Sequence, residues 1–340
     1  DRMLIVRRIV LLIPVLLGVT LVTFFLTHVI PGNPVAELLP STASPAQRHQ
    51  LFVQYGLNKP IFVQYVDYIW QVLHGNLGTS FTTTHPVLSD LTSRFGATFE
   101  ITLYAMLLAL IVGVPLGILA AVRRGRIVDH VSRVVAVSGI ALPVFWTSLM
   151  LLYLLYLKAH ILPAPDGRIN PLVQPPTDIT GLYTVDSLLT GNWKALSSSV
   201  DALILPVCVL AFGVMAPIAR ITRSGMIEAL DSDYIRAARS LGLSPRKVIL
   251  GHAFRNALLP LLTMIAVLYG YLLGGVVLVE NIFAWPGLGQ YVFTAITSSD
   301  YPAVQGFILY ATVIYVVLFL IVDLLYLAID PRVRAARNRS

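Results

Sequence analysis

Charge is scarce in this sequence: Asp, Glu, Lys and Arg together make up 12% of its 340 residues, against about 25% in an ordinary soluble domain. That scarcity, with 56% hydrophobic residues and a mean hydropathy of +0.78, excludes a soluble enzyme and points to a polytopic membrane protein. Cysteine is nearly absent. Cys208 stands alone, so no intrachain disulfide can form and the redox compartment leaves no mark. The seven histidines, His28, His49, His74, His85, His130, His160 and His252, are scattered singly without the spacing a zinc site needs. No G-x-x-x-x-G-K-[ST] occurs either, so nothing cradles nucleotide phosphates in the P-loop manner.

Long apolar runs are what the chain does have. About 20 apolar residues cross a hydrocarbon core about 30 Å thick, and such runs fall near 9–30, 98–122, 132–157, 200–221, 259–280 and 303–329. Six spans are expected. Pro206 and Pro217 interrupt the fourth, but spans tolerate proline where neighbouring helices re-satisfy the freed backbone groups. The first run follows Arg2, Arg7 and Arg8, is too long for a signal peptide and lacks a small-residue cleavage site, so it is read as an anchor.

Basic residues set the orientation. With a cytoplasmic N-terminus, 18 of the 24 Lys and Arg fall on inner segments, and only Arg48, Lys59, Arg94, Lys158, Arg168 and Lys194 lie outside. The net charge of +7 is therefore a topology signal before it is a nucleic-acid signal. The expected organisation is an N-terminal helix (1–30), an outer region (31–97), a five-helix core (98–329) and a basic cytoplasmic tail (330–340). A long inner loop, 222–258, interrupts that core.

Within that loop, "DYIRAARSLG" (233–242) predicts a helix over 233–241. Asp231 and Ser232 are N-cap candidates, Asp233 places negative charge in the first turn, and Gly242 falls where helices end in a left-handed residue. Tyr234, Ala237, Ala238 and Leu241 recur at i, i+3, i+4 and i+7 as a small apolar face, with Arg236, Arg239 and Ser240 on the other side. Ser244 and Pro245 then open a second helix that runs into the fifth span. An amphipathic helix on anionic lipid is one reading. The Ala-rich face, lacking the Trp, Phe and Leu of interfacial helices, favours a protein partner.

The run "AARSLGLSPRKVILGHAFRNALLP" resembles the EAA loop of ABC-importer permeases, in the form found in the dipeptide, oligopeptide and nickel group. Arg236, Ala237 and Ala238 stand in the EAA place, Gly242 is the loop glycine, and Leu259 with Pro260 match the closing Leu-Pro. "IPGNP" (30–34), "YGLNKPIFVQY" (55–65), "HGNLGTSF" (74–81), "VENIFAWPGLGQYV" (279–292) and "DLLYLAIDPRV" (323–333) extend the likeness to the group's B-type subunit, with Asn33, Asn58 and Asn76 where Asp is common. The resemblance implies an all-α, six-span permease of the type I importer fold, itself not an enzyme and binding no cofactor. It further implies a homologous second permease, two ATPase subunits carrying ATP and magnesium, and an outer substrate-binding protein. Peptides are the expected cargo; nickel, glutathione and haem also fall within the group. Tyr234, Arg236, Ala237, Ala238, Arg239, Leu241 and Gly242 would couple to the ATPase, and Arg255, Asn256 and Pro260 would anchor the loop to its helix.

Other positions stay open between function and packing. Thr263 and Tyr271, with neighbouring Tyr269, mark the small-residue-rich fifth span as pathway lining. Glu280, Phe283, Trp285 and Pro286 could form a gate. Glu100 and Glu280 could equally cap or snorkel near span ends, and Asp323 is an intramembrane acid that could serve helix packing. Gly113-x-x-x-Gly117 and Gly270-x-x-x-Gly274 suit close helix contact. Tyr55, Tyr65, Tyr68 and Trp70 read as interface belt and local core more than as a substrate cage. Two rival classes remain. An ion-coupled secondary transporter calls for an inverted repeat and paired midplane carboxylates, and a membrane scaffold or assembly protein would leave the patterned loops without a purpose.

Overall fold

A computed structural model describes residues 13–25, 44–54, 58–127, 129, 130, 134, 139 and 141–329. Among them the chain is helical, with an isolated bridge between Thr79 and Pro86 and no strand. The helices are α1 (Ile13–Phe25), α2 (Pro45–Gln54), α3 (Ile61–Leu73), α4 (Val87–Val122), α5 (Val144–Lys158), α6 (Tyr183–Leu189), α7 (Trp193–Leu230), α8 (Asp233–Ser240), α9 (Lys247–Ile282), α10 (Leu288–Thr297) and α11 (Tyr301–Ile329).

α4, α7, α9 and α11 are long and apolar enough to cross a membrane, while α1 and α5 are shorter apolar helices. These six fall on the six expected spans. Part of the third span, and both ends of the first, lie outside the described residues. Pro206 and Pro217 sit inside one unbroken α7 of 38 residues, about 57 Å long at 1.5 Å per residue. That length exceeds the hydrocarbon core, so α7 carries its fold beyond the apolar run.

The chain divides into two compact units, Asp1–Gly96 with Gly287–Val317, and Ala97–Pro286 with Leu318–Ser340. In the second unit, α7 and α9 pack along each other around a core that includes Ile101, Val209, Leu210, Ile218, Leu261, Leu272 and Val276. Glycine permits the closest approach to α7. A Cβ on Gly117 would stand 2.6 Å from the Ala219 carbonyl oxygen and 2.7 Å from Thr222 Cβ, and one on Gly113 would meet the Met215 carbonyl at 3.0 Å. The Gly113/Gly117 pair thus makes a helix contact. Gly274, by contrast, has nothing within 4 Å of its would-be Cβ.

The first unit has its own core of Val87, Leu91, Leu288, Tyr291, Ala295 and Ala303. Asp300, fully buried, holds the 80–83 turn by accepting from Ser80 Oγ at 2.5 Å and from the Thr82 N–H at 3.0 Å. Gly306 admits Val87, whose Cγ1 lies 2.4 Å from where a Cβ would stand.

Candidate functional site: the loop between α7 and α9

α7 ends at Leu230, the chain turns through Asp231 and Ser232, and α8 follows. Ser232 occupies the N-cap position, but its hydroxyl donates back to the Ala229 carbonyl, and Asp231 is the C-cap of α7. Neither supplies the side-chain cap expected from the sequence. Asp233 does sit in the first turn, where its carboxylate pairs with Arg236 at 3.1 Å on an exposed surface.

Gly242 stops the helix as the sequence suggests. Its φ of +76° is the left-handed conformation, its N–H donates to the Arg239 carbonyl at 3.0 Å, and the Leu243 N–H reaches the Ala238 carbonyl at 3.4 Å. The chain then re-enters a helix at Pro245, and α9 opens with a π-helical stretch, Lys247–Ala253. Such stretches are rare and recur at functional sites.

The face that α8 turns inward differs from the one the sequence suggests. Ile235 and Ala238 are buried against Met226, Ala229, Val248, Ala253, Ala257 and Ala121 of the same chain. Ala238 is therefore packing, not contact surface. The reason is that Ile235 is the largest aliphatic side chain inside α8, and burying it at i necessarily carries Ala238 at i+3 inward with it. What remains outside is Tyr234, 44% exposed, Leu241, 81% exposed, and the exposed Arg236, Ala237 and Arg239. Aromatic, aliphatic and cationic groups thus share one open surface.

Side chains brace this surface to its neighbours. Asn256 Nδ2 donates to Tyr234 Oη, joining α8 to α9. Gly225 of α7 lies so close to Ala257 that a Cβ there would meet Ala257 Cβ at 3.2 Å and Pro260 Cγ at 3.7 Å. Arg255 is exposed. Arg223 of α7 forms a two-pronged pair with Asp129, Nε to Oδ1 at 2.7 Å and Nη2 to Oδ2 at 3.0 Å, and Asp129 also accepts the Gly125 N–H at 3.0 Å. Sequence reasoning missed this clamp, because Asp129 lies in a basic loop and 94 residues separate it from its partner.

The residues expected at a pathway or gate separate into two groups. On α9, Pro260, Thr263, Val267, Tyr271, Gly274 and Leu278 form one exposed stripe at three- and four-residue steps, so Thr263 and Tyr271 stay on an open face. Tyr269 turns the other way and shares a 2.9 Å hydrogen bond with Thr102. Glu280, Phe283 and Trp285 are buried in their own chain, which is not where gate residues lining an open surface belong. Glu280 accepts from Thr98 Oγ1 at 2.6 Å, and Trp285 donates its Nε1–H to the Ala97 carbonyl at 2.9 Å. Pro286 alone of this set is exposed. Burying the indole and the carboxylate while hydrogen-bonding both makes this segment an anchor.

Beside it lies a buried ion pair invisible in the sequence. Arg168 Nη2 donates to Glu100 Oε2 at 2.7 Å and to the Gly181 carbonyl at 2.7 Å, and its guanidinium stacks 3.7 Å from the Tyr183 ring centre. Glu100 also accepts from the N–H and hydroxyl of Thr184 at 2.8 and 2.7 Å. Glu100 is thus no snorkelling acid at a span end; it fastens the 159–184 segment to α4. Asp323 lies on α11 with its side chain outside the described residues, and Asn33 lies wholly outside them.

Comparison with known proteins shows the family. The family model "Binding-protein-dependent transport system inner membrane component" matches residues 113–335, and that of its N-terminal part matches residues 2–102. The chain is 45% identical to a probable D,D-dipeptide transport system permease protein, DdpB, of Escherichia coli K12, over 95% of this chain and 94% of that one. It is 42% identical to the dipeptide transport system permease protein DppB of the same strain, over 97% and 98% of the two chains. Among solved structures, a chain of the MetNI methionine ABC transporter in an inward-facing conformation matches with 15% identity and a TM-score of 0.48, covering 69% of this chain and 93% of that one. The chain is thus a multi-pass inner-membrane transport subunit, and it belongs to the inner-membrane components of binding-protein-dependent transport systems, the ABC-importer permeases, in their dipeptide and oligopeptide group.

Proposed function

We propose that this chain forms half of the pathway of an ATP-driven peptide importer and that α8 is the element through which a separate ATPase subunit moves it. The single observation that carries the coupling role is the two-sidedness of α8. Ile235 and Ala238 fix it to α7 and α9, while Tyr234, Arg236, Ala237, Arg239 and Leu241 stand open on the other side. A helix so braced transmits displacement as a rigid body instead of absorbing it. Gly242 aims it, and Asn256, through Tyr234, ties it to the helix that carries the exposed stripe with Thr263 and Tyr271.

The basic-residue asymmetry supports cytoplasmic termini and a cytoplasmic α8, on the side where ATP and magnesium would be held by two ATPase subunits. The exposed stripe on α9 supports a second, homologous permease across from it, the two sharing the pathway, with a substrate-binding protein delivering cargo from outside. Peptide cargo rests on the names of the relatives, which are dipeptide permeases at 42 and 45% identity. An α8 that is open on its far side has no evident use in an ion-coupled transporter that works alone.

The test is uptake of labelled dipeptide into proteoliposomes holding the whole complex. Leu241→Asp and Arg239→Glu are expected to abolish ATP-driven uptake and weaken recovery of the ATPase subunits on purification, with the permease still inserted. Normal uptake by both variants would remove α8 from the coupling path. Uptake that needs a proton gradient and no ATP would overturn the importer reading itself.

A further inference from the structure

Between α1 and α4 the sequence suggests an outer region whose Tyr55, Tyr65, Tyr68 and Trp70 read as interface belt and local core, and α3 has the surface of a helix in contact with lipid. Eleven of its 13 residues fall into three stripes, each at helical spacing. Ile61, Tyr65, Tyr68 and Val72 are partly buried. Two of them meet α1: Tyr65 Oη lies 3.1 Å from Thr20 Oγ1 and donates to the Leu17 carbonyl at 3.3 Å, and the Phe24 ring lies 5.3 Å from Tyr65 and 5.8 Å from Tyr68. Gln64, Asp67 and Gln71 form a second, polar stripe, where Asp67 pairs with Lys59 at 2.6 Å. The third stripe is Phe62, Val66, Trp70 and Leu73, exposed by 74, 63, 65 and 75%.

Four large apolar side chains in one row, left open on a helix whose polar side is separate, mark a surface made for a non-aqueous environment. The occupant follows from what adjoins it. α1 is an apolar helix on the first expected span, and Ile13, Val15, Leu17, Leu21 and Val22 leave its own free surface apolar, so α3 packs against a helix whose open side suits lipid. Tyr65 meets α1 at Leu17 and Thr20, well inside that apolar run. The stripe is also bulky, without the small residues that closely packed membrane helices place at their contacts. At 13 residues, about 20 Å, α3 is too short to cross the core. Trp70, whose ring centre lies 4.5 Å from that of His74 at a tilt of 49°, is the residue type that settles at membrane boundaries.

We propose that α3 is a membrane-embedded helix: Phe62, Val66, Trp70 and Leu73 contact the acyl chains of the bilayer, and Gln64, Asp67 and Gln71 face water. The first outer region is then tethered to the membrane along α3 as well as through the spans on either side of it.

The test uses the complete transporter in phospholipid vesicles, with Cys208 replaced by Ser and a nitroxide attached in turn to cysteines at positions 62, 66, 70 and 73, and at 64, 67 and 71. Positions 62, 66, 70, 71 and 73 are exposed and 64 and 67 partly exposed, and position 21 of α1 is the reference for a lipid-facing site. Collision with oxygen, which concentrates in the bilayer, should exceed collision with a water-soluble nickel chelate several-fold at 62, 66, 70, 73 and 21. The ratio should invert at 64, 67 and 71. High nickel accessibility at all seven would make α3 a water-exposed helix. Poor access to both reagents along the apolar stripe would mean that a protein partner covers it. Either result overturns the proposal.

Discussion

Replacing Gly242 isolates the backbone turn that aims α8 from everything else the loop does. Its φ is +76°, and a Cβ built there meets nothing within 4 Å, so a side chain costs no packing and the whole penalty is backbone conformation. An L-residue held in the left-handed region costs roughly 1–2 kcal/mol, a β-branched one more, and asparagine the least because it tolerates that region. The two hydrogen bonds that close the turn, Gly242 to Arg239 and Leu243 to Ala238, are too few to hold it against such a cost. The strain is relieved by reopening the turn, which shifts the ratio of correctly aimed to misdirected α8 by roughly five- to thirty-fold. The buried contacts of Ile235 and Ala238 with α7 and α9 are untouched, so global stability barely changes. Peptide uptake per ATP hydrolysed, with both measured in the same proteoliposomes, should therefore fall in the order Gly242→Asn, Gly242→Ala, Gly242→Val. Asn should stay near wild type and Val should lose about tenfold or more of uptake per ATP hydrolysed, while melting temperatures remain within a few degrees. Wild-type uptake by the Val variant, or equal damage from Asn and Val, would refute the reasoning.

Two further outcomes follow from the buried polar groups. Glu100→Gln leaves the Arg168 guanidinium buried without a counter-charge, and should lower stability in detergent by about 3–5 kcal/mol, while Glu100→Leu combined with Arg168→Met should recover most of the loss; thermal unfolding of the purified chain reads both. Asp186 answers to pH. Burial opposes its charge, but hydrogen bonds from the Thr180 side chain and N–H and from the Ile179 and Gly181 backbone outweigh that and hold its carboxyl below the usual value of 3.8. Because its folded pKa lies below the unfolded one, its contribution is complete above about pH 4 and fades as pH falls through the lower folded value. Melting temperature against pH should thus lose part of its acid-side decline in Asp186→Asn, and an unchanged acid limb in that variant would contradict the assignment.

Local features of the candidate site were legible in the sequence where a few neighbouring residues decide them. Gly242 ends α8 in the left-handed conformation because no other residue adopts it at so little cost, and that holds whatever the rest of the chain does. The inward face of α8 was not legible. Eight residues with alanines on both sides offer two plausible apolar faces, and the choice fell to Ile235 because Met226, Val248 and Ala257 meet it there. Trp285 and Glu280 looked like gate residues for a similar reason. Aromatic and acidic residues in a Pro-Gly loop suit a gate or an anchor equally, until Ala97 and Thr98, from a helix more than 180 residues earlier, are seen to accept and donate their hydrogen bonds.

The apolar runs, a property of composition along the chain, sufficed for the membrane class and for where the apolar helices fall. Which acids are buried in pairs, which glycines admit a neighbouring helix and which side of α3 or α8 is left open depend on groups far apart in the chain. Glu100 finds Arg168 across 68 residues and Asp129 finds Arg223 across 94. Only close packing brings such groups within hydrogen-bonding distance, and a buried charge then has no stable arrangement other than the one in which its partner is present.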